Sequence, residues 1–436
     1  MMTAENMPSV GIIGLGYVGL SYAVAFAANG CRVVGCDVLV ERVATINRGE
    51  SPLPDIVSDA SVAAQIRAGR LIATTEDAPL ATCDALIIAV PTPVNATYDP
   101  DLSMVRDATD RISRILRQGH LIVLECTTYP GTTEEIVVPM VARKGFTIGT
   151  DIFVAYSPER IDPGNTNSQG WTLANTPKVV GGCTKACTAR AVALYERITE
   201  RVIPVSSPKV AEMEKLVENV FRVVNIALVD ELALLCDRMD LDIWEVLDAA
   251  ATKPYGFMKF VPGPGLGGHC IPVDPLYLTW KARAYDFPMR FIELAVEIDR
   301  RMPYHVRDLV IRALNGQRKS VNGSRILLIG VAYKPDVADT RETPAAALWR
   351  LLVDDGAVIC YHDPHVATFR APDGETYAST SLTDELLRAV DCVVIVTNHT
   401  DVDYVRIVER TVAIVDTRNQ TRGIAADEGS ATITRL

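Results

Sequence analysis

A single cysteine stands at the end of a glycine-rich turn in the middle of the chain. The segment P-G-P-G-L-G-G-H-C-I-P-V-D-P covers residues 262–275 and places Asp274 four residues after Cys270. Glycines let another molecule approach the backbone closely, and the flanking prolines stiffen the turn. A thiol on such a loop is either a nucleophile or, like most free cysteines, a small buried hydrophobic group. The loop alone leaves both interpretations open.

A long predicted helix carries polar groups that can bind an anion. Residues 209–240 contain no glycine or proline and show helical periodicity. Lys215, Asn219 and Arg222 are spaced i, i+4 and i+7, so they share one face. An ammonium, a carboxamide and a guanidinium suit an anionic ligand or a developing oxyanion, and a solvated polar stripe is the alternative. The apolar side of the same helix predicts either a dimer contact or packing within one subunit.

The N-terminal residues carry a dinucleotide-binding pattern in its strand–turn–helix–strand context. A strand over 10–14 leads into G-L-G-Y-V-G, a helix over 21–29 follows, and a second strand ends in Asp37. Gly14 makes the tight turn, Gly16 admits the pyrophosphate and Gly19 lets the helix pack on the strand. Amides at the helix N-terminus hold the phosphates. Asp37 is expected to bind both ribose hydroxyls and to repel a 2′-phosphate, which predicts NAD rather than NADP.

A third polar segment, A-Y-K-P-D-V-A-D-T-R-E, follows a predicted strand and opens a helix in the C-terminal part of the chain. Lys334 and Arg341 in this segment can hold phosphates from a loop, and arginine suits planar, bidentate recognition. The alternative is a structural ion pair with Asp336, Asp339 or Glu342. We favour the functional interpretation.

The elements that position these residues alternate between strands and helices at both ends of the chain. We therefore predict an α/β protein with two Rossmann-like, doubly wound domains joined by a central helical domain with a long helix. The predicted domains are an NAD-binding domain over 1–205, a central domain over 206–316 and a second nucleotide-binding-type domain over 317–436. Further predicted strands cover 85–90, 121–125, 152–156, 325–330, 358–362, 391–397 and 412–415, and a predicted helix covers 344–354.

Composition narrows the class of protein. The chain has 436 residues, 48% hydrophobic residues and a net charge of −11, which favours several packed domains and argues against nucleic-acid or anionic-membrane surfaces. Ten cysteines without regular spacing predict neither a disulfide framework nor a zinc site. No signal-peptide pattern or membrane-spanning apolar run is present, so we expect a cytoplasmic, reduced protein without a metal.

Seven ordered motifs resemble those of the UDP-glucose/GDP-mannose dehydrogenase family: G-L-G-Y-V-G, V-P-T-P, E-C-T-T-Y-P-G-T-T, S-P-E-R, E-M-E-K-L-V-E-N-V-F-R-V-V-N-I-A, G-P-G-L-G-G-H-C-I-P-V-D-P and Y-K-P-D-V-A-D-T-R-E. Within the family, S-P-E-R, G-G-H-C and K-P-D-V-x-D-x-R-E are similar to the branch that oxidises UDP-N-acetylhexosamines, above all UDP-N-acetylglucosamine. Two residues depart from the pattern, because Cys126 stands where serine is expected and Lys259 where proline is more common.

The resemblance implies a four-electron oxidation of a sugar C6 alcohol to a carboxylate with two NAD⁺ per turnover, for polysaccharide or glycoconjugate synthesis. An aldehyde cannot lose a hydride until a nucleophile adds to it, and the cysteine thiolate would form first a thiohemiacetal and then a thioester that water hydrolyses. The implied catalytic residues are Cys270, Lys215, Asn219, Asp274, Glu159 and Thr128. Which of Lys215, Asp274 and Glu159 is the base in each step stays open.

The same resemblance implies binding residues for both ligands and a homodimer or higher homo-oligomer. For NAD the implied residues are Gly14, Gly16, Tyr17, Val18, Gly19, Asp37, Arg42, Thr92, Thr128 and Arg341. For the UDP-sugar they are Glu159, Arg160, Lys215, Asn219, Arg222, Lys259, Gly267, Tyr333 and Lys334.

Three alternatives compete with this interpretation. A UDP-glucose 6-dehydrogenase would use the same chemistry on another sugar. A two-electron dehydrogenase of the hydroxyacid type shares the nucleotide domain and a helix-borne lysine and asparagine, but needs neither Cys270 nor a second α/β domain. A non-catalytic sensor of NAD or of a nucleotide sugar would produce no NADH. Two NADH per sugar therefore indicate a four-electron dehydrogenase, one indicates the hydroxyacid type and none indicates the sensor.

Overall fold

Apolar segments of the sequence form two separate sheets in the computed structural model, which describes residues 7–95, 98–160, 170–268, 271, 273–424 and 431–436. The chain folds into two compact units. The first unit comprises Met1–Glu218 and Leu276–Phe287, and the second comprises Asn219–Pro275 and Pro288–Leu436. The predicted α/β class with two Rossmann-like sheets and long helices between them is confirmed.

The first unit contains an eight-stranded sheet in the order β3-β2-β1-β4-β5-β6-β7-β8. All neighbours in it are parallel except β6 and β7. The strand order reverses between β1 and β4, so the carboxyl ends of these two strands border the crevice where doubly wound sheets bind ligands. The strands are β1 (Ser9–Ile13), β2 (Arg32–Cys36), β3 (Leu71–Thr74), β4 (Ala85–Ile88), β5 (Leu121–Leu124), β6 (Phe153–Tyr156), β7 (Lys178–Gly182) and β8 (Val202–Val205).

Helices cover this sheet and bury its apolar side chains. The described helices before the long central one are α1 (Tyr17–Ala28), α2 (Val40–Asn47), α3 (Asp59–Arg67), α4 (Ser103–Ile115), α5 (Val138–Ala142, entered through a π-helical turn at Thr133–Val137) and α6 (Lys185–Tyr195). Helix α1 begins four residues before the predicted start at residue 21, with Gly16 as its N-cap. Its first turn therefore includes part of the glycine pattern, which the sequence predicts to precede the helix.

Helix α7 (Pro208–Met239) is the longest described helix, with 32 residues. The boundary between the two units falls within it, after Glu218. It ends at Asp240, which has a positive φ of 55°, a conformation that stops the helix. The predicted bounds of 209–240 differ from the observed ones by one residue at each end.

The second unit is built on a five-stranded, fully parallel sheet in the order β10-β9-β13-β14-β15. Both faces of β9 are buried, because Ile326 and Leu328 belong to one apolar cluster and Leu327 and Ile329 to another. The strands are β9 (Arg325–Ile329), β10 (Val358–His362), β13 (Cys392–Ile395), β14 (Ala413–Asp416) and β15 (Thr432–Arg435), and β11 (Thr368–Arg370) forms an antiparallel pair with β12 (Thr376–Ala378).

The remaining helices follow the long one in the chain. They are α8 (Ile243–Ala251), α9 (Asp274–Ala282), α10 (Arg290–Gly316), α11 (Pro344–Asp354), α12 (Asp384–Ala389) and α13 (Tyr404–Arg410). The bounds of α11 and β10 are those that the sequence predicts. The connection between α10 and β9 joins two elements within the second unit.

Candidate active site

The glycine pattern forms a tight turn between β1 and α1 that suits a dinucleotide. Gly14 has a φ of +92°, and a Cβ on Gly19 would lie 1.8 Å from the carbonyl oxygen of Gly14. A Cβ on Gly16, in contrast, would meet nothing within 4 Å. The turn is therefore closed on the protein side and open at Gly16, where Tyr17 and Val18 begin the helix. This arrangement fits the pyrophosphate of a dinucleotide on the amides of the helix N-terminus.

Asp37 lies at the end of β2 and its carboxylate is almost fully buried. Its Oδ2 accepts a hydrogen bond from the Leu15 amide at 2.8 Å and pairs with Arg42 at 2.9 Å. Its Oδ1 accepts from the Leu39 amide at 2.9 Å. Because a carboxylate oxygen can accept two hydrogen bonds, Oδ1 retains an acceptor position for a ribose hydroxyl. Arg42, which the resemblance implies for the cofactor site, forms the ion pair with this carboxylate.

The ends of β4 and β5 bring two predicted cofactor residues together. Thr92 donates from its hydroxyl to the Thr127 carbonyl at 2.8 Å, and its own carbonyl accepts from Tyr277 at 2.6 Å. Thr128 is fully buried, and its hydroxyl has no hydrogen-bond partner among the described residues. An orphaned hydroxyl at this sheet edge, together with the open space at Gly16, fits a bound nicotinamide dinucleotide.

Cys126 replaces the expected serine without loss of the contacts that link β4 to β5. Its thiol donates to the Ile88 carbonyl at 3.4 Å and accepts from the Val90 amide at 3.3 Å. Burial raises the pKa of Cys126 to about 12. The thiol therefore stays protonated and structural, and Cys126 is no candidate nucleophile.

The S-P-E-R segment after β6 holds the acidic part of the long helix. Arg160 donates to Glu218 and to the Pro177 carbonyl at 2.8 Å, and lies 3.5 Å from Glu214. Burial and the hydrogen bond to Glu218 raise the pKa of Glu214 to about 7. Although burial opposes it, the hydrogen bond from Arg160 lowers the pKa of Glu218. The half-buried Lys215 thus stands on the helix between one acid that is readily protonated and one that stays charged.

Within the second unit, Asn219 and Asp274 form a direct contact. The Asn219 amide donates to Asp274 Oδ2 at 2.6 Å, and both side chains are buried. Asp274 is the first residue of α9, and Arg222 lies exposed on α7, one turn beyond Asn219. The structure therefore joins two of the predicted catalytic residues that stand 55 positions apart in the sequence.

The glycine-rich loop is anchored through its backbone up to residue 268. Gly263 donates to Asp230 at 3.0 Å and Leu266 to Asp299 at 2.6 Å. Burial raises the pKa of Asp230 to about 8 and that of Asp299 to about 6. Cys270, the predicted nucleophile, and its neighbour at position 269 lie outside the described residues.

The end of this loop packs on the C-terminal polar segment. The Gly268 amide donates to the Arg341 carbonyl at 3.0 Å, and a Cβ on Gly267 would lie 2.7 Å from the Tyr333 Cβ. Lys334 places its ammonium 5.5 Å from the ring centre of Tyr333. Gly267, Tyr333 and Lys334, all predicted to bind the sugar nucleotide, are thus close neighbours.

Two predicted binding residues are engaged in ion pairs. Arg341 forms a bidentate pair with Asp339, with Nε 2.9 Å from Oδ1 and a terminal nitrogen 2.5 Å from Oδ2. This is the structural alternative that the sequence left open, although the guanidinium remains 43% exposed. Lys259 pairs with Asp248, which also pairs with Arg422. Both cations thus have an acidic side chain as a partner.

A histidine cluster in the second unit has the composition of a metal site but the hydrogen bonds of a structural network. Ligand atoms of Asp336, His365 and His399 lie within 4.8 Å of one another. His399 accepts from the Asp336 amide at its Nδ1 and lies 3.0 Å from Asp363 at its Nε2. Its proton therefore resides on Nε2 and both ring nitrogens are engaged, which disfavours metal binding there.

Comparison with known proteins matches the whole length of this architecture. Residues 8–199 match the NAD binding domain of the UDP-glucose/GDP-mannose dehydrogenase family, residues 209–301 its central domain and residues 327–423 its UDP binding domain. The chain belongs to this family. It is an NAD-dependent nucleotide-sugar dehydrogenase, as the ordered motifs predict.

Relatives of the dehydrogenase carry two related names. UDP-N-acetyl-D-mannosamine dehydrogenase of Yersinia pestis is 37% identical over 80% of this chain and 83% of its own. UDP-N-acetyl-D-glucosamine 6-dehydrogenase of Pseudomonas aeruginosa is 36% identical over 82% of this chain and 83% of its own. The solved structure of the UDP-D-ManNAc dehydrogenase from Pyrococcus horikoshii matches with a TM-score of 0.87 and 30% identity, over 98% of this chain and 99% of the other.

Several residues around the site of this dehydrogenase were not foreseen. Glu214 and Glu218 flank Lys215 in E-M-E-K-L-V-E, and their i, i+4 spacing was a visible signal. Asp230 interrupts the apolar run I-A-L-V-D-E-L-A-L-L, which marks a buried acid that needs a partner. Asp299 gave no comparable signal. Among the described helices, none combines the length and the apolar character that crossing a membrane requires.

Proposed function

We propose that the dehydrogenase oxidises the C6 hydroxyl of a UDP-N-acetylhexosamine to the carboxylate in two NAD⁺-dependent steps, with a covalent intermediate on Cys270. The names of the curated relatives and the family's UDP binding domain support the substrate class. The observation that carries the proposal is the buried contact between Asn219 and Asp274, which follows Cys270 by four residues. A two-electron dehydrogenase would have no use for a water-activating acid that follows a thiol by four residues in the sequence.

The chemistry requires a nucleophile between the two oxidations. Loss of a hydride and a proton from the alcohol gives an aldehyde, which has no further hydride to lose until a nucleophile adds. Addition of the Cys270 thiolate gives a thiohemiacetal, whose oxidation gives a thioester, and water releases the carboxylate and the thiol. NAD⁺, held by the residues of the cofactor site, would supply the hydride acceptor for each of the two oxidations.

The roles of the catalytic side chains follow from their chemistry. Lys215 supplies the positive charge that stabilises the thiolate and the oxyanion, and Asn219 donates a hydrogen bond to the same oxygen. Asp274 receives the proton of the hydrolytic water. The hydrogen bond from the Asn219 amide holds the Asp274 carboxylate in place for this role. Glu159 and Thr128 position a water and assist proton transfer.

We propose two sets of binding residues. They are distributed over the three predicted domains, which cover residues 1–205, 206–316 and 317–436. The cofactor set is Gly14, Gly16, Tyr17, Val18, Gly19, Asp37, Arg42, Thr92, Thr128 and Arg341. The sugar-nucleotide set is Glu159, Arg160, Lys215, Asn219, Arg222, Lys259, Gly267, Tyr333 and Lys334. The close packing of Gly267 on Tyr333 supports the part of the second set that lies on the loop.

The identity of the N-acetylhexosamine, mannosamine or its epimer glucosamine, is the more specific part of the proposal. Relatives named for mannosamine and for glucosamine are 37% and 36% identical, so their names favour neither. An assay of NADH formation identifies the substrate when it is run separately with UDP-N-acetylmannosamine, UDP-N-acetylglucosamine, UDP-N-acetylgalactosamine and UDP-glucose. We expect oxidation of an N-acetylated substrate, and exclusive oxidation of UDP-glucose would contradict the proposal.

Replacement of the nucleophile tests the covalent route. We expect Cys270→Ser to bind substrate but to lose steady-state turnover, whereas the wild-type enzyme releases two NADH per sugar. Cys360→Ser, a change at a free thiol outside the site, is the matched control and should keep wild-type turnover. Full four-electron turnover by Cys270→Ser would refute the mechanism. One NADH per sugar from the wild-type enzyme would instead indicate a two-electron dehydrogenase.

We also propose that the dehydrogenase is a homodimer through α7. Five large apolar side chains of this helix are exposed with spacings of seven, four, three and four residues, which places them on one side: Phe221, Leu228, Leu232, Leu235 and Met239. A long apolar stripe without charges suits the self-complementary interface of a second copy. Leu232→Glu/Leu235→Glu should yield monomers by light scattering, whereas Val405→Glu, at an exposed apolar residue elsewhere, should not. A monomeric wild-type protein would refute the proposal.

A further inference from the structure

A lysine and a glutamate form an ion pair deep inside the first unit. Lys178 opens β7 and Glu125 directly follows β5, and their side chains are 6% and 0% exposed. The Lys178 ammonium donates to Glu125 Oε2 at 2.9 Å, to the Tyr22 hydroxyl at 2.5 Å and to the Pro158 carbonyl at 2.8 Å. All three of its hydrogens are therefore used, and one of them holds the backbone next to Glu159.

The hydrogen bonds of Lys178 extend through Tyr22 to the carboxylate of Glu159. The Tyr22 hydroxyl accepts from Lys178, so its own hydrogen is available to the Glu159 carboxyl, with which it is hydrogen-bonded. Glu159 Oε1 also accepts from the Arg160 amide at 2.8 Å. At the opposite end of the network, Tyr195 donates to Glu125 Oε1. Each of these hydrogens thus has one acceptor, and the hydrogen bonds from Lys178 through Tyr22 reach Glu159.

Stability does not account for this arrangement. The ammonium lies 4.6 Å and 5.1 Å from the ring centres of Tyr22 and Tyr195, which belong to the main apolar cluster of the unit. Burial raises the pKa of Glu125 to about 7, so the pair is costly to keep charged. Replacement of a buried ion pair by apolar residues of similar size is often neutral or stabilising. What the pair provides is a fixed position for the groups that it contacts.

A small pocket adjoins the network and fits the role of Glu159. It is lined by Tyr22, Glu159, Arg160, Lys178 and Tyr195 among others, and it has room for about one water molecule. Polar side chains surround it on several sides. A carboxylate held at its wall can orient a water only if the carboxylate itself is held.

We propose that Lys178 and Tyr22 are positioning residues for Glu159. Lys178 fixes the Pro158 carbonyl, Tyr22 fixes the Glu159 carboxylate, and Tyr22 lies on α1, the helix that begins at the glycine turn. The network thereby ties the acid to the helix that holds the dinucleotide phosphates. The inference rests on the proposed function, because the role of Glu159 in proton transfer belongs to it.

Steady-state kinetics of Tyr22→Phe test the inference, with the N-acetylated UDP-sugar that the wild-type enzyme oxidises. We expect kcat to fall about ten- to hundred-fold, since a displacement of about 1 Å of a catalytic group costs about a hundredfold. The KM values for NAD⁺ and for the sugar nucleotide should change less than about twofold. Phe26→Leu, in the same apolar cluster but without a polar contact, is the control for a packing defect and should lower the melting temperature without the loss in kcat.

A double-mutant cycle separates this inference from the proposed function. If Tyr22 acts through Glu159, Tyr22→Phe should have no further effect on kcat in a Glu159→Gln background. Lys178→Met combined with Glu125→Gln removes both charges and so avoids an unpaired buried ion, and it should reproduce the loss of Tyr22→Phe. Wild-type kcat in Glu159→Gln would overturn the assigned role of Glu159. A large loss in Glu159→Gln together with wild-type kcat in Tyr22→Phe would overturn the positioning role alone.

Discussion

Asp230 anchors the loop that leads to Cys270, and its ionisation should set a pH dependence of the second unit. Its carboxyl is 1% exposed and accepts from the Gly263 amide at 3.0 Å. Because burial raises its pKa to about 8, the carboxyl is protonated at neutral pH in the folded protein. We predict that Asp230→Asn preserves the loop, since the amide oxygen also accepts from Gly263, and removes this pH dependence.

The sign and size of the effect follow from the two pKa values. A carboxyl with a raised pKa in the folded state loses stability as pH rises, because the unfolded chain releases its proton first. The ordinary pKa is 3.8 and the folded one about 8, so the wild-type protein loses about 1.4 kcal/mol per pH unit between them, and the slope falls to half at pH 8 and to zero within about one unit above it. From pH 6 to pH 8, the free energy of unfolding of Asp230→Asn should therefore rise by about 2.3 kcal/mol relative to wild type.

Urea unfolding at pH 6, 7, 8 and 9 measures this difference. In a Trp171→Phe/Trp280→Phe background the fluorescence reports on Trp244 and Trp349, which lie in the second unit. Asp299→Asn is the matched control, because its wild-type carboxyl anchors the same loop with a pKa of about 6. The difference in the free energy of unfolding between Asp299→Asn and wild type should be constant above pH 6. A constant difference for Asp230→Asn from pH 6 to pH 8 would show that Asp230 is ionised in the folded protein and would refute the reasoning.

Three further predictions concern the nucleotide site and the cores. Gly19→Ala should weaken NAD⁺ binding more than tenfold, measured by calorimetry, and should also lower the stability of the protein. The reason is that the new Cβ would lie 1.8 Å from the Gly14 carbonyl oxygen. Gly16→Ala, whose Cβ meets no other atom within 4 Å, should weaken NAD⁺ binding without unfolding the protein. The hydrogen bond from a buried histidine, against the effect of burial, lowers the pKa of Asp363 to about 2, so this carboxylate contributes about 2.5 kcal/mol at neutral pH that is lost as pH falls from 4 to 2. Asp363→Asn should lose that amount at pH 7 in urea unfolding, and an equal loss at pH 2 would contradict the assignment. Cys126→Ser should keep kcat and change the free energy of unfolding by less than about 1 kcal/mol, because a hydroxyl can make both contacts of the thiol.

Local patterns in the sequence predicted most of the fold. Buried parallel strands are short apolar runs, and α11 and β10 have the predicted bounds because Pro344 and Gly356 mark the ends of the helix. The start of α1 was misplaced because glycine normally signals a turn, whereas Gly19 is helical here and packs on the Gly14 carbonyl. Helix propensity describes residues one at a time, so it does not include a close contact between two parts of the folded backbone.

The candidate site was predictable only through its ordered motifs. Nothing in composition or periodicity brings Asn219 to Asp274, which are 55 residues apart, and the motif order alone implied that both serve one reaction. Ion pairing of Arg341 with Asp339 was foreseen as an alternative, since short-range pairs can be read from spacing. The pair of Lys259 and Asp248 was not foreseen, because it depends on how a loop lies on α8.

Buried ionisable side chains explain how the two functional loops are held while the side chains of the loops remain available for chemistry. Asp230 and Asp299 bind backbone amides of the glycine-rich loop, and Lys178 binds the backbone carbonyl that precedes Glu159. In each case a buried polar group contacts the main chain, so the loop position does not depend on the identity of the loop's side chains. Burying an ionisable group costs free energy through desolvation, and what the group provides in return is a fixed backbone position. An ionisable residue inside an apolar run, such as Asp230, should therefore be interpreted first as an anchor for a distant loop, and Asp230→Asn tests that interpretation because it keeps the hydrogen bond from Gly263 and removes the titratable group.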